Sequence, residues 1–210
     1  MKQIRILILV GVAAMALMAT VGATAASATE TALCKETVVF CPNAYPKATK
    51  VHAELETGAK FSLENPIGKV ECAKSTLEFT TEQETAIPLG ATVNAFTFGE
   101  CSVGGAAVEI IALLNGTLDI ELIDLPAFTH HGTLTFTGTE IKVVYKGLGG
   151  IVCRYVPGHS GILTGGAMAT IDLTGNWPVA AGSSVFCGAG PAPAKGNYTV
   201  TTPEPLWVTM

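Results

Sequence analysis

At 210 residues the chain is long enough for one ordinary domain or two small ones. It is 49% hydrophobic and only 14% charged, against about 25% charged residues in an average soluble protein, which excludes a chain kept disordered by charge and polarity. Twelve basic against seventeen acidic residues, a net charge of -5, exclude the basic footprint of a nucleic-acid binder.

Residues 1–28 read as a signal peptide. Lys2 and Arg5 form a short positive region, and the run from Ile6 to Met18 holds only apolar residues and glycine, a length within the roughly 7–15 residues of a signal core. Ala23-Thr24-Ala25 and Ala26-Ser27-Ala28 both fit the A-x-A cleavage pattern; cutting after Ala28 is favoured, with an uncleaved anchor as the alternative. Leu33 before Cys34 argues against lipid attachment there. No later stretch approaches the ~20 apolar residues of a spanning helix. The expectation is a secreted, extracellular chain with no membrane span after cleavage, and acidic enough to disfavour anionic lipid or phosphate.

Downstream the pattern is that of strands. No segment sustains a 3.6-residue period, whereas alternation recurs with frequent turns. Strands are predicted at Lys50–Leu55, Ala59–Leu63, Gly68–Cys72, Ser75–Thr81 and Ala91–Phe98. Asn115-Gly116 then predicts a two-residue hairpin turn, with Leu113 opposite Leu118 and Ile111 opposite Ile120. That register gives one apolar face of Ile111, Leu113, Leu118, Ile120 and Leu122. Gly138-Thr139 predicts a second hairpin, with Phe136, Leu134, Ile141, Val143 and Tyr145 on one face and Thr133, Thr135 and Thr137 on the other. Further strands follow at Ile151–Val156, Ser160–Thr164, Ala167–Leu173, Ser184–Cys187, Tyr198–Thr202 and Leu206–Thr209. Pro88-Leu89-Gly90, Pro157-Gly158 and Gly188–Gly196 read as surface connections. The fold class is all-β, an antiparallel sandwich or barrel, with residues 29–210 as one domain; a split near Leu125-Pro126 is the alternative.

Six cysteines, Cys34, Cys41, Cys72, Cys101, Cys153 and Cys187, follow the leader. An even number behind a signal peptide reads as a disulfide set. Neighbours in sequence are the favoured pairs: 34–41, 72–101 and 153–187. The support is an internal echo, in which Val70-Glu71-Cys72 and Ile151-Val152-Cys153 each set a cysteine in an apolar strand. The absence of a C-x₂-C pair argues against zinc.

Motifs that could carry chemistry are incomplete. Gly158-His159-Ser160-Gly161 approaches a nucleophile elbow, but Ile162 stands at the fifth position and no helix follows. A triad order would draw on His52 with Asp119 or Asp124. His130-His131 has no third ligand at useful spacing. Asp119, Glu121 and Asp124 form the densest acidic cluster, where a glycosidase would need two opposed carboxylates; alternation makes them a solvated outer face, and Glu78, Glu82 and Glu84 read the same way. Trp177, Tyr198 and Trp207 could line a sugar platform, but large aromatics ordinarily fill cores. Asn115 and Asn197 head glycosylation sequons, relevant only to a eukaryotic secretory route.

The order of these features resembles a family of uncharacterised exported, cysteine-paired β-proteins of high-GC soil bacteria. The matching residues are Cys34 and Cys41, Tyr45-Pro46, Val70-x-Cys72, Phe98-x-x-Cys101, Val152-Cys153, and Cys187 followed by Gly196-Asn197-Tyr198-Thr199-Val200 and Leu206-Trp207-Val208. The resemblance spans nearly the whole exported part. It implies secretion and an all-β fold, and it carries no catalytic residues with it.

Scaffold signals without a convergent polar constellation lead to the expectation of a non-enzymatic domain. It would serve as a binding or structural module for an extracellular or cell-envelope ligand, with no cofactor, metal or nucleic acid. The alternatives are a secreted hydrolase using Ser160 with His52 or His159, or using Asp119 and Glu121, and a small inhibitor or toxin.

Overall fold

The computed structural model describes residues 30–38, 40–123 and 130–210. The signal-peptide reading, Asp124 and the alternative split near Leu125-Pro126 lie outside the described residues.

The sandwich-or-barrel question resolves to a closed antiparallel barrel of eight strand positions. Four long strands run its length: β4 (Gly68–Thr81), β6 (Leu89–Val103), β13 (Thr170–Trp177) and β14 (Ala192–Thr202). Each of the other four positions holds two shorter strands end to end. β2 (Lys50–Leu55) and β3 (Phe61–Asn65) together fill the place between β14 and β4. β7 (Ala106–Leu114) and β8 (Thr117–Leu122) lie along β6, and β9 (His131–Thr137) and β10 (Glu140–Tyr145) lie along β8 and β7. β11 (Ile151–Tyr155) and β12 (His159–Thr164) come next, β12 pairing with both β9 and β13. At the upper end β11 reaches the extension of β13 through the Tyr155–Val179 bridge. Every position neighbours its predecessor in sequence and the last, β14, pairs with the first. This is an up-and-down meander, which closes a sheet without leaving free outer edges.

β1 (Thr31–Cys34) lies outside the ring, between β15 (Trp207–Thr209) and β5 (Thr85–Ala86). All four of its residues are buried, and the Thr31 hydroxyl accepts from the Leu122 amide of the wall. β1 and β15 therefore pack together at the base of the barrel. The three disulfides are the favoured neighbour pairs, Cys34–Cys41, Cys72–Cys101 and Cys153–Cys187, and no described cysteine is free.

Alternation determines what faces in. Val51, Ala53, Leu77, Phe79, Leu118, Ile120, Ile171, Leu173 and Val200 point inward and are buried, whereas Lys69, Glu71, His52, Glu54, Asp172 and Lys195 face outward. An eight-position barrel is just wide enough for side chains to fill it. Here Phe61, Phe96, Phe98 and Trp177 meet at mid-height, the Phe61 and Phe96 rings lying 6.3 Å apart and those of Phe61 and Trp177 5.5 Å apart. Gly196 makes room for them, since a Cβ there would stand 2.8 Å from the Tyr198 ring and 3.2 Å from that of Phe61.

Both predicted hairpins are overturned. β7 does not pair with β8, nor β9 with β10; instead the continuous 106–122 segment pairs with the continuous 131–145 segment, and both bend at one corner. Gly116 (φ 69°) and Gly138 (φ 71°) sit back to back there. Because the chain runs on rather than folding back, the parity upstream of the corner inverts. Val108 and Ile110 are buried while Ile111 and Leu113 face out. Leu118 and Ile120 keep the predicted inward face, as do Leu134, Phe136, Ile141, Val143 and Tyr145.

Three further expectations fail. Pro88-Leu89-Gly90 is not wholly a surface connection: Leu89 and Gly90 open β6, paired with β8, and Leu89 is buried. Ser184–Cys187 is not a strand: Val185–Cys187 is a 3-10 turn, capped by the Ser184 hydroxyl. Residues 192–196, read as a surface connection, are the start of β14. Gly68–Cys72 and Ser75–Thr81 merge into one strand because nothing between them interrupts the ladder to β6.

Candidate functional site

The barrel separates the residues that a hydrolase would have to bring together. Ser160 is 1% exposed, and its Oγ donates to the carbonyl of Gly158 at 2.7 Å. His159, next in the strand, faces out and meets the Thr135 hydroxyl at 3.0 Å. His52 belongs to the outer wall two positions beyond β13. There Glu78 and Glu54 hold its two ring nitrogens, each at 2.9 Å, and the Glu54 hydrogen bond leads in raising its pKa above the ordinary histidine value. The nucleophile and its two candidate bases share no cleft.

Asp119 and Glu121 are successive outward residues of β8, opposite Thr135 and Thr133 of β9. They lie side by side on a convex wall, not across a cleft. His130 and His131 diverge. The His130 ring stands edge-on to Trp207 at 5.1 Å and reaches Thr37 and the Val208 carbonyl, while His131 bonds the Thr164 hydroxyl at 2.9 Å. Among the described residues no three histidine, cysteine or carboxylate side chains are placed to hold a metal ion. Trp177 and Tyr198 are core residues rather than a sugar platform. Asn115 uses its side-chain amide to bond the Asn94 carbonyl at 2.7 Å.

Two polar clusters inside the barrel escaped the sequence reading. Tyr198, fully buried, exchanges a 2.9 Å bond with Ser75, whose hydroxyl also donates to the Thr97 carbonyl. Burial drives the Tyr198 pKa upward. At the upper end the Asn65 amide donates to Tyr145 and Tyr155 at 2.5 and 2.7 Å, and its carbonyl accepts from the Ile67 amide at 3.0 Å. Burial raises the Tyr145 pKa and pushes that of Tyr155 up to about 12. These hydrogen bonds fasten strands together, and burial keeps the phenols neutral.

Polar side chains also line a shallow, open groove of about 530 Å³ on the outer wall near the base. Its floor is the end of β4 and the start of β6, where Thr80 pairs with Thr92 and Asn94 is an extra, bulged residue. The Lys47 turn and the Glu82-Gln83 corner flank it. Asn94 Nδ2 donates to Thr80 at 2.6 Å, and Thr92 donates to Glu82 at 2.8 Å. The Thr81 hydroxyl takes the Thr49 amide, and the Glu82 amide bonds the Gly90 carbonyl. Lys47 and Gln83 complete a lining of hydroxyls, amides, one ammonium and one carboxylate. Only Glu82 figured in the sequence reading, as a solvated acid. Thr80, Thr92 and Asn94 become neighbours through the β4–β6 register, which no local motif announces.

No helix among the described residues is long and apolar enough to cross a membrane. Three disulfides suit an oxidising, extracellular type of environment. Comparison with protein-family models, with curated proteins and with solved structures found no match.

Proposed function

We propose that the chain is exported, loses residues 1–28, and acts outside the cell or at its envelope as a single non-enzymatic binding domain over residues 29–210. The groove formed by Lys47, Thr80, Thr81, Glu82, Gln83, Thr92 and Asn94 is its ligand-contact surface. The observation that carries this reading is the gathering of those polar groups in one shallow concavity, whereas Ser160, the hydroxyl candidate for a nucleophile, is buried and bonded to its own turn. Binding sites are typically concave, with a few convergent polar groups. Hydroxyls and amides that both donate and accept suit a hydroxyl-rich ligand such as an envelope glycan. A single cation in an acidic protein is poorly matched to phosphate.

The test is titration of oxidised protein with soluble envelope oligosaccharides, followed by calorimetry, for the unaltered chain and for Glu82→Gln and Asn94→Ala. Binding that weakens at least tenfold in both variants supports the reading. Turnover of fluorogenic esters, peptides or glycosides that disappears in Ser160→Ala or Glu121→Gln refutes it.

A further inference from the structure

Strand direction sorts the connections of the barrel into two ends. At the upper end lie Pro66-Ile67, Gly104-Gly105, residues 146–150, and the long excursion 178–191 between β13 and β14. Lys146 is the one charged residue in these four connections, and Glu109 holds it at 2.9 Å. Leu148 is 47%, Phe186 64% and Val185 89% exposed there. The base exposes Phe40, Ile87 and Met168 as well, but its connections also carry Lys35, Glu36, Lys47, Glu82, Glu84 and Glu204. Only the upper end is both apolar and almost free of charge.

The excursion climbs beside β11 and crosses to the β3–β4 turn. The Ala180 amide bonds the Arg154 carbonyl and the Ser184 amide that of Val152. Cys187 is linked to Cys153, and a Cβ at Gly188 would stand 2.8 Å from Pro66. Its polar groups are used internally. The amides of Ser183, Ser184, Phe186, Cys187 and Gly188 all bond within the protein. The Ser183 hydroxyl accepts from the Arg154 amide, and that of Ser184 from Phe186. Leu148 belongs to a 3-10 turn closed by the Gly150 bond to the Tyr145 carbonyl. Below the rim the cations are paired, Lys69 with Glu71, Lys146 with Glu109 and Arg154 with Glu140, and Glu64 adds an exposed carboxylate.

We propose that this tip anchors the barrel to a lipid surface, with Val185, Phe186 and Leu148 entering the boundary between headgroups and acyl chains. The observations favour lipid over a protein partner. An apolar phase offers no hydrogen bonds, so backbone enters it without penalty only where it is already bonded internally, as the 183–188 amides are. Charges would have to be desolvated, and the excursion has none; Lys146, on the neighbouring turn, has a long stem that leaves its ammonium at headgroup level. Val185 and Phe186 project from a turn instead of lining a cleft that a partner's side chain could fill. The Cys153–Cys187 link restrains the turn beforehand, which lowers the ordering cost of insertion. The paired belt below carries no excess of cations, so zwitterionic headgroups fit it and an anionic surface gains nothing. The polar groove lies near the opposite end, so the anchor stands or falls independently of what the groove binds.

The experiment uses vesicles of zwitterionic phosphatidylcholine with brominated acyl chains, which quench an indole that enters the bilayer. Phe186→Trp, Leu148→Trp and Met168→Trp in the full oxidised chain place an added indole at the tip, on its neighbouring turn and at the base. The first two gain a blue shift and are quenched by the vesicles, whereas Met168→Trp adds no quenching to that of the unaltered chain. In co-sedimentation, Val185→Ser combined with Phe186→Ser weakens vesicle binding about tenfold, in line with the apolar area withdrawn from water. Its urea unfolding midpoint stays that of the unaltered chain, because both side chains are exposed. Equal quenching at base and tip overturns the proposal, as does vesicle binding that the double serine variant leaves intact. It is equally overturned by no binding at millimolar lipid, by binding that appears only with anionic phosphatidylglycerol, or by a tip that joins two copies of the chain and ignores vesicles.

Discussion

Gly116→Ala tests whether the 115–116 pair is a corner buried in the wall rather than the tip of a hairpin. A Cβ at Gly116 would lie 2.3 Å from the Thr137 carbonyl oxygen and 2.5 Å from the Thr139 nitrogen, both backbone atoms that cannot rotate aside. Gly105 has a comparable φ of 84° but open space around it, so Gly105→Ala isolates the conformational cost, about 1–2 kcal/mol for an L-residue in the left-handed region. At Gly116 the same cost is joined by displacement of the 137–139 backbone. That loosens the Val93–Gly116 bond and the Thr139 bond to the Asn115 carbonyl, each worth about 1 kcal/mol. The expected loss is therefore about 3–4 kcal/mol, a large fraction of the roughly 5–15 kcal/mol that holds a domain together. Gly161→Ala supplies the converse control, since its Cβ would meet the Asp172 carbonyl at 2.2 Å without a positive φ. Urea unfolding of the oxidised proteins, followed by tryptophan fluorescence, measures all three. Equal losses for Gly116→Ala and Gly105→Ala would refute the corner.

Three other outcomes are expected. The raised pKa values of Tyr145, Tyr155 and Tyr198 make alkali destabilising. Their contribution is intact below the unfolded value near 10 and is lost as pH rises through the folded values, so stability should fall from about pH 10 upward; Tyr198→Phe should flatten that fall in a pH series of unfolding curves. His52, raised by Glu54 and Glu78, contributes below about pH 6.5 and ceases to as pH climbs past its folded value; Glu54→Gln should bring its NMR titration midpoint back toward the ordinary one. Replacing Cys153 and Cys187 together by Ser should cost about 3.7 kcal/mol in the chain-entropy account of a closed loop and accelerate amide exchange in residues 180–188, with the β4 ladder unchanged.

The sequence revealed strands wherever alternation was uninterrupted, because the period-2 pattern follows directly from one wet and one dry face. Lys50–Leu55 is read with its observed bounds. Thr133, Thr135 and Thr137 stand outside and Leu134 and Phe136 inside, as alternation required. What failed was the meaning of two glycine pairs. Asn115-Gly116 and Gly138-Thr139 supply the backbone freedom of a hairpin, but the same freedom serves a bend in a strand that continues, and only the partner strand decides between them. Leu113 was placed inside on the hairpin register and lies outside for that reason alone. The groove was illegible for a related cause: Lys47, Thr80, Glu82 and Asn94 come together through the loop bonds of Ala48 and Thr49 to Thr81 and through the β4–β6 register.

Two of the three disulfides fall where the ladder supplies least. Cys34–Cys41 ties the base strand β1 to a segment with little regular pairing, in which the Cys41 amide bonds the carbonyl of Met210. Cys153–Cys187 ties β11 to the long connection between β13 and β14, an excursion that presents Val185 and Phe186 to solvent. Cys72–Cys101, by contrast, joins directly opposite residues inside the long β4–β6 ladder. Elsewhere adjacent strands are joined by continuous hydrogen bonding and a packed aromatic interior. Because side chains fill that interior, a ligand inside would have to displace Phe61, Phe96 or Trp177, each of which carries a large share of the buried apolar area. On the proposed binding reading, recognition therefore belongs to the outer wall, where Lys47, Thr80, Glu82 and Asn94 are gathered.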